Sequence, residues 1–229
     1  MARQRKLFTI GEHHGNVVLN YAGHPVNQFA LVASSYAEAA TVLRKKFEAE
    51  RHTDFDAYPI VFLYRHALEL YLKAVLLLGN RLAVTSGNTE LHTDDIFTGH
   101  SLSANLPVVK EIFTEVGWGD DYPHMGLEDA SFEEIVKEFD ALDRGSYTFR
   151  YTVKKDGTAS IAEHFAFSIS DFATIMERIL NNLSGACLGL EEISGFMAKQ
   201  YRDAMSDYMA DMRADMHDYE SDYRDYFEY

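Results

Sequence analysis

Three groups of polar residues in this 229-residue chain sit where chemistry could be done. The first is a ladder, Arg65, Glu69 and Lys73, with His66 beside it, on an otherwise apolar stretch over 56–79. Spacing by four stacks the ladder on one face of a helix. Ile60, Val61, Phe62, Leu68, Leu72, Val75 and Leu76 cover the other faces, and a helix apolar nearly all round belongs in a core. Charges on such a helix must pair with one another or line a site, because an unpaired buried charge costs several kcal/mol or neutralises itself. Arg65–Glu69 and Glu69–Lys73 can pair along the helix as a purely internal array. The second group is His100, in Thr98-Gly99-His100-Ser101-Leu102 at a helix entrance. A histidine there can act as acid or base near neutral pH, or bond the first helical turn. The third is Phe149-Arg150-Tyr151, where an arginine between aromatics suits a carboxylate, a phosphate or the face of a base. Arg150 could equally pair with Glu69 or Asp140 and tie its segment to the helices.

These residues need a helical frame. A well-patterned helix is expected over 28–51, with Leu31, Tyr36, Ala40, Leu43 and Phe47 on its apolar side. Asp54 or Asp56 can cap the core helix, Pro59 is tolerated in its first turn, and Gly79-Asn80 is expected to stop it. Residues 80–98 read as polar loop. Helices are expected over 103–116 and 131–142, the second opened by a capping box, Ser131 to Glu134. Two short strands, 147–153 and 158–165, flank the turn signal Lys155-Asp156-Gly157. That strand would put Arg150 on one face and its aromatic neighbours on the other. A helix over 170–183 follows, with Gly185, Gly189 and Gly195 expected to break what comes next. Residues 7–22 read as a further hairpin turning at His14-Gly15-Asn16.

The tail over 196–229 lacks helix breakers. Met205, Met209, Met212, Met216, Tyr219, Tyr223 and Tyr226 alternate by four and three, a heptad stripe, flanked by Asp203, Asp207, Asp211, Asp215, Asp218, Asp222 and Asp225. Residues 200–229 hold nine acids against three arginines, a net of −6. The stripe reads as an interaction helix or one folded back on its own domain, and the plain alternative is an acidic solubilising tail.

The whole chain carries a formal charge of −15, which weighs against non-specific grip on nucleic acid. The single Cys187 excludes an internal disulfide and points to a reducing, cytoplasmic compartment. No opening stretch resembles a signal peptide, and Arg65, Glu69 and Lys73 interrupt the longest apolar run, which argues against a membrane span. There is no phosphate-binding loop, Rossmann glycine fingerprint, zinc knuckle, H-E-x-x-H or G-x-S-x-G. Glu12-His13-His14 is the densest histidine cluster and reads as an exposed turn, so neither a metal nor a cofactor is expected.

In order, the three groups resemble the HEPN superfamily, small helical domains common in prokaryotic toxin–antitoxin and phage-defence systems. The helix pattern E-x-x-x-K-A-hydrophobic stands here as Glu69 to Val75, the G/T-H-x-L-x-x-L entrance as Gly99, His100, Leu102 and Leu106, and the later R-Y element as Arg150-Tyr151. The resemblance covers residues 28–184. It implies an up-and-down helical bundle, often dimeric, and the N-terminal hairpin and acidic tail lie outside it; with the elements read from the residues, the expected fold is mainly α, with one or two short β-hairpins and a C-terminal amphipathic acidic helix. The expected units are an N-terminal arm over 1–27, the bundle over 28–190 and the acidic Met/Tyr helix over 191–229. Many members are metal-independent ribonucleases whose signature is an arginine followed, after four to six residues, by a histidine. This chain departs from it: Arg44 and His52 are too far apart, Arg213 and His217 too close, and Arg65 and His66 adjacent. The expectation is therefore a binding or scaffold protein of a bacterial defence or toxin–antitoxin system, with Arg65, His66, Glu69, Lys73 and Tyr151 as its polar site. One alternative is a ribonuclease with a rearranged site, in which His100 moves the proton, Arg150 clamps the phosphate and the acidic tail restrains both. Another is a structural oligomerisation protein. A homo-oligomer, a protein partner on 200–229, and RNA or a nucleotide are the expected partners.

Overall fold

The computed structural model describes Val17, Leu19 and residues 28–50, 53–85, 97–128, 130–161 and 164–227, with side chains of the last helix up to Arg213 except Asp211. Of the hairpin expected over 7–22 only Val17 and Leu19 are among the described residues, and the Glu12-His13-His14 cluster lies outside them. Among the described residues five α-helices follow in order: α1 Phe29–Ala49, α2 Ala57–Thr85, α3 Leu106–Glu115, α4 Phe132–Asp143 and α5 Ile169–Phe227. The protein is a mainly α-helical bundle.

The greasy sequence of α2 makes it the central element. Ile60, Val61, Leu68, Leu72, Val75 and Leu76 are all buried, each contributing about 1.5–3 kcal/mol when fully removed from water. It is entered through a short 3-10 turn, Asp54–Asp56, which Thr53 and Asp56 close with a capping box. The helix α1 runs antiparallel to it, since Lys46 and Phe47 share a surface with Pro59 and Ile60 while Tyr36 packs on His66. The first part of α5 runs parallel to α2, with Phe172 against Tyr64 and Leu180 near Tyr71. One carboxylate joins all three helices: Glu177 Oε1 accepts from Tyr64 Oη at 2.7 Å, Thr41 Oγ1 at 3.0 Å and Arg44 Nη2 at 3.2 Å. Burial works to raise Glu177, but these bonds outweigh it and hold the carboxyl below its ordinary range. Burial pushes the Tyr64 phenol up to about 12.

Three expectations are corrected here. Gly79-Asn80 does not end α2, which continues to Thr85 and buries Ala83. Gly79 serves a close approach instead, because a Cβ there would collide with the Ile112 side chain of α3. Likewise Gly185, Gly189 and Gly195 do not break α5. Ala186, Cys187, Leu190 and Ser194 keep one buried stripe running through them, and Gly189 makes room for the Trp118 ring, 2.7 Å from where its Cβ would stand. That ring is delivered by a Schellman turn closing α3, with Gly117 at φ +82° and Trp118 N–H donating to Phe113 O at 2.7 Å.

The third correction is the hairpin over 147–165. The described residues contain no strand there, only a single antiparallel bridge, Val153 to Ala159, around Gly157 at φ +83°. The turn forms as its sequence indicates, but 147–151 is a helical turn, with Tyr151 N–H donating to Tyr147 O at 3.1 Å. Asp143 causes this: its Oδ1 accepts the Tyr147 and Thr148 N–H groups at 2.6 and 2.8 Å, as a capping carboxylate would. The capping box at Ser131 and Glu134 forms as expected.

Beyond Ser194, the last buried residue among those described, α5 leaves the core, and every described side chain from Lys199 onward is exposed. No helix among the described residues is long and apolar enough to cross a membrane.

Candidate functional site

The ladder on α2 is a buried ionic array. Arg65 is fully buried, and its guanidinium spends donors in three directions. Nη1 donates to Glu69 Oε2 at 2.8 Å, Nη2 to the His100 carbonyl at 2.6 Å, and Nε to the Asp143 carbonyl at 3.1 Å. The Asp143 carboxylate adds an ion pair, Oδ2 at 3.2 Å from Nε. Planar, always charged and able to fork, an arginine suits such a position better than a lysine.

Glu69 is the hub. Its Oε1 accepts from Lys73 Nζ at 2.8 Å and lies 3.0 Å from His100 Nδ1. Burial works to raise Glu69, and the bonds from Lys73, His100 and Arg65 more than offset it, leaving the carboxyl below its ordinary range. A carboxylate so held can only accept, so His100 Nδ1 carries the hydrogen. Glu69 is 3% exposed while the His100 side chain is 55% exposed. One edge of the imidazole is therefore anchored in the core, and the Nε2 edge makes no hydrogen bond among the described residues.

The loop that delivers His100 is pinned from α4. Asp140 accepts from Ser101 Oγ at 2.8 Å, Leu102 N at 2.9 Å and Ser103 Oγ at 2.6 Å, while Leu102 is fully buried as an apolar plug. Burial works to raise Asp140, and the Ser103, Leu102 and Ser101 bonds bring it below the ordinary aspartate range. His100 is thus positioned by its ring, by its carbonyl and by the residues after it.

The third group stands apart. Arg150 is exposed, donates from Nε to the Ser146 carbonyl, and lays its guanidinium 5.9 Å from the Phe62 ring centre and 5.6 Å from that of Tyr151. Tyr151 stacks on Tyr147 at 4.3 Å. Phe62 stacks in turn on His66, which meets Tyr36 edge-on. Burial is the main reason His66 is held below its ordinary value, with the positive charges of Arg65, Lys73 and Arg150 acting in the same direction against Glu69. Arg150 is close enough to act on His66, but no hydrogen bond or ion pair joins it to His100, Glu69 or Asp140 among the described residues.

No family model, no curated protein and no solved structure matches this chain.

Of the residues picked out from sequence, Arg65, Glu69, Lys73 and His100 converge on one network, while His66, Arg150 and Tyr151 form a neighbouring cation–aromatic patch. The sequence pattern does not single out Asp143, and it offers Asp140 only as a partner for Arg150. A signal for both existed: on α4 the buried side continues from Phe132, Val136 and Phe139 into Asp140 and Asp143. Acids that extend an apolar face need buried donors, and the core helix offers Arg65. Among the described residues no three His, Cys, Asp or Glu side chains form a group that could hold a metal.

Proposed function

We propose that this chain is a HEPN-like binding or scaffold protein of a bacterial defence or toxin–antitoxin system, acting without the standard ribonuclease chemistry of that superfamily. The observation that carries this reading is the full burial of Arg65, whose three nitrogens are each directed at a partner inside the fold: Glu69, Asp143 and the His100 carbonyl. An arginine buried on every side presents no donor to a phosphate arriving from solvent. The array then serves to fix the His100 loop and α4 on the core helix. Binding is left to exposed surfaces, above all the distal part of α5. Its Tyr201, Met205, Tyr208, Met209 and Met212 are exposed, and an adaptable Met/Tyr stripe with acidic flanks suits a protein partner or another copy of the chain.

The ribonuclease reading draws support from one specific feature. A carboxylate orienting Nδ1 on a half-exposed ring whose Nε2 has no partner among the described residues is the arrangement that prepares an imidazole as a proton acceptor. The assay that separates the two uses purified full-length protein, its His100→Ala variant and a form ending at Ala198, beyond the last buried residue among those described, with RNA at low salt and without metal. Binding-only function predicts intact RNA with all three. Cleavage abolished by His100→Ala would replace it with an atypical HEPN ribonuclease.

A further inference from the structure

A second site lies on the far side of α4. Phe139, Phe149, Phe165, Phe167 and Phe172 line a cavity of about 290 Å³ between α4, the segment before α5 and the start of α5. The size falls near the lower end of small-molecule pockets. The rings form a chain of contacts: Phe149 to Phe139 at 6.2 Å, Phe139 to Phe172 at 5.7 Å, Phe172 to Phe167 at 5.7 Å and Phe167 to Phe165 at 5.6 Å. Phe165 and Phe167 nonetheless keep 44% and 43% of their surface exposed.

The polar part of the wall is one-signed. Glu138 and Asp171 line the cavity, no Lys, Arg or His does, and neither carboxylate makes a side-chain hydrogen bond or ion pair among the described residues. Ser168 is occupied, its Oγ accepting the Asp171 N–H at 3.2 Å. An anion would meet two carboxylates and no donor charge. A purely apolar cover would strip water from both carboxylates with no compensation. A cation with an apolar body satisfies the carboxylates and the ring faces together, because the π-face of phenylalanine attracts positive charge.

We propose that this cavity binds a small organic cation, a tertiary or quaternary ammonium carried on an apolar group. The test is calorimetric titration of the full-length chain with benzyltrimethylammonium, with phenylacetate as the anionic comparator. The ammonium binds saturably at one site per chain, and phenylacetate binds at least roughly tenfold more weakly. Glu138→Gln with Asp171→Asn, both at exposed positions, weakens the ammonium by roughly the same factor. In the unaltered protein, the N-methyl protons show nuclear Overhauser contacts to the Phe167 and Phe172 rings. Absence of those contacts, equal binding of phenylacetate, or undiminished affinity in the folded double variant each overturns the assignment. Concentration-dependent self-association that closes the cavity does so too, by naming a second copy as its cover.

Discussion

The Nδ1 atom of His100 lies 3.0 Å from Oε1 of Glu69, so a ring more than half in solvent is tethered to a carboxylate 3% exposed. The pairing sets the tautomer. Neutral His100 carries its hydrogen on Nδ1 and leaves Nε2 as the acceptor, and nitrogen chemical shifts from a long-range proton–nitrogen spectrum will show this pattern. Glu69→Gln removes the charged acceptor and shifts the population toward the Nε2–H form. An unchanged tautomer in that variant would mean that Glu69 does not orient the ring. His100→Ala leaves the Arg65 bond to the backbone carbonyl intact and lowers stability by about 1 kcal/mol.

Arg65 is the opposite case. Its removal strands Glu69, Asp143 and the His100 carbonyl in the core at once. Arg65→Met therefore costs about 3–5 kcal/mol in urea unfolding, as expected when one partner of a buried ion pair is deleted. Arg65→Lys recovers only part of this, because a single ammonium cannot reach three acceptors in different directions. A loss under about 1 kcal/mol would show that the array carries little of the fold.

Acid should weaken the protein in two separable steps. His66 is held below its ordinary 6.5 in the folded state, so the unfolded chain binds the proton more readily. Stability is full above that value and falls as pH drops below it, levelling off once the folded form also protonates. His66→Phe keeps an aromatic ring between Phe62 and Tyr36 and flattens this step. Glu69 and Glu177 lie below their ordinary 4.5, and Asp140 below 3.8. Their contribution is present above those values and is lost as pH falls through the folded-state ones. Thermal midpoints across the acid range will show the upper step disappear in His66→Phe while the lower one persists.

The charge ladder was legible because an i, i+4 spacing on an apolar helix leaves few arrangements open, and the capping box at Ser131 because its signal is local. What sequence could not supply was the partner across the fold. Asp143 turns 147–151 into a helical turn, so the strand-like alternation around Arg150 is overridden by a carboxylate that itself answers to Arg65, 78 positions away. The glycines misled for a related reason. A glycine marks either a freed backbone or a close approach, and only the neighbouring element decides which. At Gly189 that element is Trp118, and at Gly79 it is Ile112.

Gly79 can be tested directly. In an isolated helix, Gly→Ala stabilises by about 1 kcal/mol. Here the added methyl enters the space of the Ile112 side chain, which is 2% exposed and must shift within the core to admit it. Overpacking of this kind costs about 1–3 kcal/mol, so Gly79→Ala should be net destabilising despite its better helix propensity. Ile112→Ala alone leaves a cavity and costs about 2–5 kcal/mol. In the double variant the new methyl partly fills that cavity. The two changes together should then cost less than their sum, with a coupling of about 0.5–3 kcal/mol. Strict additivity in the double-mutant cycle would mean that α2 and α3 do not meet at this pair. Gly79 would then be an ordinary helical glycine, and the continuation of α2 to Thr85 would need another cause.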